Sequence, residues 1–336
     1  MQKILVIQTA FIGDVVLSTA LLASLHNEYP EIKLDILVRK GNEALFNNHP
    51  YVNAVLVWNK KENKYKHWLQ ILLQIRNTDY DVIINVQRYA ATGLWTAFSS
   101  AKIKIGFDKN PFSFLFTHKI KHLAEQKGLH EIQKNHALLS AIGDLTLCKP
   151  KLYPTAVDEL KVLQYQSKNY ICIAPASVWY TKQFPIQQWV NLLNELVFDG
   201  VVYIIGGPGD KALGDTIINN MKNVKIKVVN LAGQLDFLAA AALQKKAVLN
   251  YVNDSAPMHF ASAVNAPVVA IYCSTIPDFG YGPLSDKSFI VQTNKELSCR
   301  PCGIHGKKAC PLGHFSCATS IQMQQLLEPL SQMAQH

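Results

Sequence analysis

Two successive series of short apolar runs, each alternating with helical patterns, constrain this chain more than any other feature. In the first series Lys3–Ile7 and residues 33–38, 53–58, 81–86 and 102–107 read as strands. Helical patterns lie between most of them. In residues 14–25, Leu17, Leu21 and Leu25 fall on one stripe. The runs lack clean polar–apolar alternation, as expected of parallel strands buried on both faces. Alternating β and α units build an open sheet wound by helices on both sides.

A helix over 131–142 is followed by a loose stretch, 143–158, containing Pro150 and Pro154, which reads as a linker. The second series opens with a strand at 170–175. It continues through helix 186–196, strand 201–205, the turn 206–210 and helix 213–221. The turn 231–234, helix 236–243 and strands 247–250 and 267–272 follow. A cysteine-rich loop, 297–318, precedes a last amphipathic helix over 321–333. At 336 residues the chain is long enough for two ordinary cores. The expected architecture is α/β: two doubly wound, Rossmann-like domains, 1–150 and 151–336, facing each other across a cleft.

Three strand exits carry chemistry. Asn253-Asp254-Ser255-Ala256-Pro257-Met258-His259 lies between two apolar runs and has the composition of a helix start. Asp254 or Ser255 can cap, and Pro257 suits a first turn where its missing N–H costs nothing. Such an end offers free amides and a positive dipole to a phosphate. The same residues also make an ordinary capped helix. Gln8-Thr9-Ala10-Phe11-Ile12-Gly13-Asp14 follows the first strand and has only Gly13, which argues against a G-x-G-x-x-G dinucleotide site. It leaves Asp14 at the carboxyl edge of the sheet, as a general base or as a plain helix cap. Lys182 sits in the loop 174–185, where it is either solvated or a point charge for a diphosphate.

The net charge of +9 favours an anionic partner. Lys60, Lys61, Lys64, Lys66 and His67 interleave with Trp58, Tyr65 and Trp68 ahead of an apolar stripe. That pattern fits a lipid headgroup interface and equally a solvated surface helix. No nucleic-acid module is present, so nucleic acid is not an expected partner. The apolar stretches are broken by charges, such as Lys245 and Lys246, and no transmembrane span is expected. Met1-Gln2-Lys3 leads straight into Ile4–Ile7 without the length of a signal peptide, so the expected location is the cytoplasm.

Together the N-terminal I-L-V-I-Q-T-A-F-I-G-D-V-V-L-S-T-A-L, T-K-Q-F-P-I-Q-Q-W, I-I-G-G-P-G-D and N-D-S-A-P-M-H-F-A-S-A-V-N-A-P-V-V-A-I-Y resemble the ADP-heptose:lipopolysaccharide heptosyltransferases. These are GT-B-type glycosyltransferases of family 9, and the resemblance spans essentially the whole chain. It implies a GT-B-like fold, an N-terminal acceptor domain, a C-terminal donor domain and a last helix that can cross back. It implies an inverting transfer of a heptose or related sugar from an ADP-sugar to the lipopolysaccharide inner core. The enzyme would need no metal or other cofactor, and would act at the inner face of the inner membrane. By position, Asp14 matches the catalytic base, Gly13 beside it is a donor-binding candidate, and Lys182 matches the lysine on the donor diphosphate. Ser177 falls at a phosphate contact and Asp210 near a ribose-holding acid. Gln234 and Leu235 lie where backbone meets the nucleobase. Asp254 matches a donor-sugar contact, Ser255 and Ala256 the phosphate-cradling amides, and His259 a nearby donor-site residue. Arg39, Lys40, Lys60, Lys61 and Arg88 are candidates for the anionic acceptor. Two positions depart from the family pattern: Ala256 stands where glycine is usual, and Asn85 where aspartate is common.

Asp79-Tyr80-Asp81 has the D-x-D spacing of metal-dependent transferases but precedes a strand, and reads as a turn. Cys299-x-x-Cys302 with Cys310 and Cys317 could hold a structural metal or remain free thiols in a folded loop. Rival readings are a Rossmann oxidoreductase, which lacks its glycine fingerprint here, a non-hydrolysing nucleotide-sugar epimerase, and a degenerate transferase that only binds a nucleotide sugar.

Overall fold

Strands buried on both faces suit parallel pairing, and among the described residues every strand pair is parallel. The structure, a computed structural model, describes residues 1–123 and 128–333. It divides into two units, Met1–Tyr153 and Pro154–His336. The first contains β1 (Lys3–Ile7), β2 (Lys33–Arg39), β3 (Val52–Trp58), β4 (Val82–Asn85), β5 (Ile103–Phe107) and β6 (His118–Ile120), in spatial order β3-β2-β1-β4-β5-β6. The second contains β7 (Tyr170–Ala174), β8 (Val201–Ile204), β9 (Lys227–Asn230), β10 (Leu249–Asn253), β11 (Val268–Tyr272) and β12 (Ser288–Gln292), in order β12-β11-β10-β7-β8-β9. Each order reverses once, between β1 and β4 and between β7 and β10. At such a reversal the outgoing loops part and leave a crevice at the carboxyl edge, where open α/β sheets bind ligands.

Packing follows from the sequence stripes. In the first unit Trp58, Trp95 and Ile75 fill one face of the sheet, and Trp95 Nε1 donates to Trp68 O at 3.0 Å. In the second, Trp189, Phe184 and Leu193 lie on one face, with Ala239, Met258 and Tyr272 on the other. Truncating a core tryptophan such as Trp189 costs about 3–5 kcal/mol in cores of this kind. Among the described residues no helix is long and apolar enough to cross a membrane.

Several boundaries differ from the sequence expectation, each for a local reason. The expected linker 143–158 ends early, because Thr155 caps helix Ala156–Leu163 and Asp158 returns the bond to the Thr155 amide. The strand expected at 247–250 runs instead as Leu249–Asn253. Its polar Asn250 donates from Nδ2 to Gln244 O and Pro267 O, at 3.0 and 2.9 Å. Strands β6, β9 and β12 carry no strong apolar run; all three are edges and partly exposed. The last helix, Met323–Met333, packs within the second unit. Leu326 and Leu330 enter that unit's core, and Tyr251 Oη donates to Leu326 O at 2.9 Å.

Candidate active site

The two strands flanking the reversal of the second sheet each deliver one charged side chain. Lys182 ends the 3-10 turn Tyr180–Lys182 beyond β7, and Asp254 follows the last residue of β10. Lys182 Nζ lies 2.7 Å from Asp254 Oδ2, the two side chains being 15% and 7% exposed. Thr275, beyond β11, donates from Oγ1 to the same oxygen at 2.7 Å. Asp254 is therefore committed to this pair and does not cap. Ser255 does not cap either: its Oγ donates back to Asn253 O at 3.3 Å as helix Ala256–Ala263 begins.

That leaves an open helix end. Pro257 has no N–H, and Met258 N donates to Ser255 O at 3.0 Å. Among the described residues the amides of Ser255 and Ala256 have no main-chain acceptor. They sit at the positive end of the helix dipole, directly after the Asp254 that pairs with half-buried Lys182, which is chemistry suited to an anion. Asn253, fully buried, fixes the neighbourhood by donating to Pro175 O at 2.7 Å and accepting from Phe184 N at 3.0 Å.

The other donor candidates share this edge. Ser177, half-buried beyond β7, accepts at its carbonyl from Gln183 Nε2 at 2.6 Å. The turns after β8 and β9 meet where Gly233 N donates to Gly206 O at 2.9 Å. Gly233 has φ +80°, and a Cβ there would lie 2.8 Å from Pro208 Cα, so only glycine fits. Asp210 turns its Oδ2 back to Gly207 N at 2.7 Å, and Gln234 donates to Asn230 O at 2.8 Å. Both side chains thus brace their own turns. Leu235 packs half-buried on the core below, and His259 is buried with its ring 6.4 Å from that of Tyr281.

In the first unit the corresponding reversal holds Asp14. Phe11 is the N-cap residue of helix Ile12–Glu28, with Gly13 and Asp14 in the first turn, so Asp14 is not the cap. Arg39, at the end of β2, has its basicity lowered by burial while the Asp14 carboxylate pulls it back up. The Arg39 guanidinium lies 4.6 Å from the centre of the Phe11 ring. Lys60, beyond β3, donates to Thr9 O at 2.9 Å and lies 4.5 Å from the Trp58 ring. Burial, then Arg39 and Lys64, push its pKa down to about 8, so it stays charged at neutral pH. Lys40 and Lys61 are exposed next to these two in sequence. Arg88, exposed beyond β4, lies near enough to His122 to lower that imidazole's pKa, after the larger effect of burial.

Buried amides hold this turn. Gln87 Nε2 donates to Gln8 Oε1, Asn85 Oδ1 accepts from Gln87 N at 2.9 Å, and Asn42 Nδ2 donates to Ala10 O at 3.2 Å. Asn85 thus serves the strand exit with its oxygen, which a carboxylate would also do.

Asp81 accepts from Gln2 N and Lys3 N at the amino edge of the first sheet, opposite the edge that carries Asp14, so Asp79-Tyr80-Asp81 is an irregular strand entry away from that edge. Among the described residues no three His, Cys, Asp or Glu side chains are placed to hold an ion. Burial raises the thiol pKa of Cys302 and takes Cys317 up to about 11. At Cys310 burial is outweighed by the amides of Phe315, Leu312 and Gly313, which lower it.

Comparison with known proteins bears on the fold and the family. Lipopolysaccharide heptosyltransferase 3 of Escherichia coli is 27% identical over 283 residues, covering 79% of this chain and 82% of that protein. The structure of E. coli ADP-heptose lps heptosyltransferase II superposes with a TM-score of 0.78 at 21% identity, covering 99% of this chain and 98% of the other. A family 9 glycosyl transferase from Veillonella parvula gives a TM-score of 0.82 at 18% identity over 99% and 97%. These likenesses show a GT-B-like α/β fold built from two doubly wound units. The family model of glycosyltransferase family 9 (heptosyltransferase) matches residues 68–312, and the chain belongs to that family of sugar-transferring enzymes.

Proposed function

We propose that this protein moves a heptose, or a closely related sugar, from ADP-heptose to the lipopolysaccharide inner core in one inverting displacement, without a metal. The observation that carries the reading is the ion pair of half-buried Lys182 with buried Asp254, beside the uncapped start of helix Ala256–Ala263. Residues 151–336 bind the donor and residues 1–150 the acceptor. Lysine has three N–H donors, and one suffices for Asp254, so the ammonium can also hold a diphosphate oxygen. Ser177 and the amides of Ser255 and Ala256 share that charge. Asp210, Gln234 and Leu235 border the nucleoside, and Asp254 and His259 the sugar. Asp14 takes the proton of an acceptor hydroxyl as its oxygen bonds to the anomeric carbon. The carbon–oxygen bond to the diphosphate breaks, and ADP departs with both electrons. Preorganised charge supplies a few kcal/mol to such a step, and a positioned base about 10²–10⁴-fold. Lys182 and the helix dipole take the part a metal ion plays in other transferases.

Arg39, Lys40, Lys60, Lys61 and Arg88 suit a phosphorylated acceptor embedded at the inner face of the membrane. Helix Lys64–Arg76 extends that surface. It buries Ile71 and Ile75 but exposes Tyr65, Leu69 and Leu73, at 82%, 51% and 51%, on one stripe. Lys64, Lys66 and Arg76 accompany the stripe, and the helix has no carboxylate. An exposed apolar stripe among cations fits an anionic bilayer.

Incubation with ADP-heptose and lipid A–core acceptor should give a glycosylated product of anomeric configuration opposite to the donor's. Retention, or donor conversion without transfer, overturns the reading. Separately, the protein should sediment with phosphatidylglycerol vesicles but not with phosphatidylcholine vesicles. Leu69→Ser with Leu73→Ser should reduce that association by about tenfold. Unchanged association in the double variant removes this helix from the interface.

A further inference from the structure

The cysteine-rich loop after β12 runs directly against the turn that bears Lys182. Thr181, 1% exposed, donates from its amide to Lys307 O at 3.1 Å. Its Oγ1 accepts from Lys307 N at 2.7 Å and from Ser274 Oγ at 2.9 Å. Ser274 N donates in turn to Thr181 O at 3.2 Å, and Ser274 O accepts from Cys302 N at 2.9 Å. Gly306 has φ +76°; a Cβ there would stand 2.9 Å from Lys182 Cγ and 3.1 Å from Thr181 Oγ1. The loop backbone therefore lies along the stem of the lysine.

The same loop grips the partner of that lysine. Arg300 donates from Nε to Cys273 O at 2.8 Å, and from Nη2 to Thr275 O and Gln292 Oε1, both at 2.8 Å. Its guanidinium fork thus gathers carbonyls at the exit of β11, where Thr275 donates to Asp254. A fork of fixed geometry positions acceptors more closely than an ammonium does. The Phe315 ring, farther along the loop, stacks on Tyr180 at 5.4 Å and 28° between planes. One segment thereby fixes both ends of the Lys182–Asp254 pair.

We infer that residues 299–307, through Thr181, Arg300 and Gly306, are a positioning element that sets where the Lys182 ammonium stands relative to a bound diphosphate. The inference rests on the reading of Lys182 as the diphosphate contact. The hydroxyl of Thr181 is its centre, because two donors converge on it and Lys182 is the next residue. The cysteines supply packing and a backbone amide to this brace.

A double-mutant cycle on ADP affinity, read by calorimetry on the full chain, tests it. Thr181→Val keeps the shape and removes the acceptor of both bonds. It should weaken ADP about tenfold in the wild-type background and less than about twofold when Lys182 is already alanine, the coupling expected of groups acting through one another. A merely structural role would weaken ADP equally in both backgrounds, and that result overturns the brace. So does an unchanged ADP affinity for Thr181→Val alone. If Lys182→Ala by itself leaves ADP affinity unchanged, the diphosphate reading falls first and the brace with it. Should Thr181→Val not fold, Gly306→Ala, whose methyl group meets the Lys182 stem, enters the same cycle with the same expected pattern.

Discussion

Asn in place of Asp14 lowers turnover by about 10²–10⁴-fold while ADP binds as tightly as before. The amide has nearly the shape of the carboxylate, so helix Ile12–Glu28 keeps its first turn, and Phe11 rather than Asp14 is its cap residue. What disappears is an acceptor for the proton of the attacking hydroxyl. Apart from Gly13, whose backbone the substitution leaves in place, the donor candidates lie in the other unit, which is why affinity for ADP should not move. Initial rates at saturating ADP-heptose, beside a calorimetric titration of ADP, separate the two quantities. A degenerate transferase that only binds its nucleotide sugar would show no change in either.

Removal of the Lys182 side chain has the opposite signature, acting on binding as well as turnover. Lys182→Ala deletes a charge-assisted bond to the diphosphate, worth about 1.5–3 kcal/mol, so ADP should weaken about 10–100-fold. Turnover should fall by about 10²–10³-fold, because charge on the departing diphosphate grows toward the transition state. The variant also leaves Asp254 buried without its cation, which in other proteins costs about 3 kcal/mol of stability. Thr275 still donates to Oδ2 and softens that cost. Rates are best compared well below the melting temperature, which should itself fall.

The sequence makes some of this legible and hides the rest, for physical reasons. Strands such as Lys3–Ile7 and Tyr170–Ala174, buried on both faces, announce themselves as unbroken apolar runs, and two such series lead to the pair of doubly wound sheets. Edge strands do not: His118–Ile120 and Lys227–Asn230 have one neighbour each and keep polar residues. At the site, the residues at strand exits were visible because β–α junctions at the carboxyl edge are where such folds bind ligands. Their side-chain commitments were not. That Asp254 pairs with Lys182 instead of capping depends on residues 72 positions apart meeting across a sheet reversal. Thr275, Arg300, Gln87 and Asn42 stand outside the motifs read from the sequence, and the motifs that contain Thr181 and Gln8 do not reveal the bonds those two make. Each works through a bond to a distant main-chain or side-chain atom, and no local spacing encodes that.

The central claim is a division of labour, with the nucleoside diphosphate gripped in the second unit and the proton-accepting carboxylate supplied by the first. A calorimetric titration of ADP into the wild type, Asp14→Asn and Lys182→Ala tests it most directly. Equal affinity for the first two, with a loss of about 10–100-fold confined to Lys182→Ala, is the predicted result. Equal affinity in all three proteins, or a loss confined to Asp14→Asn, contradicts it.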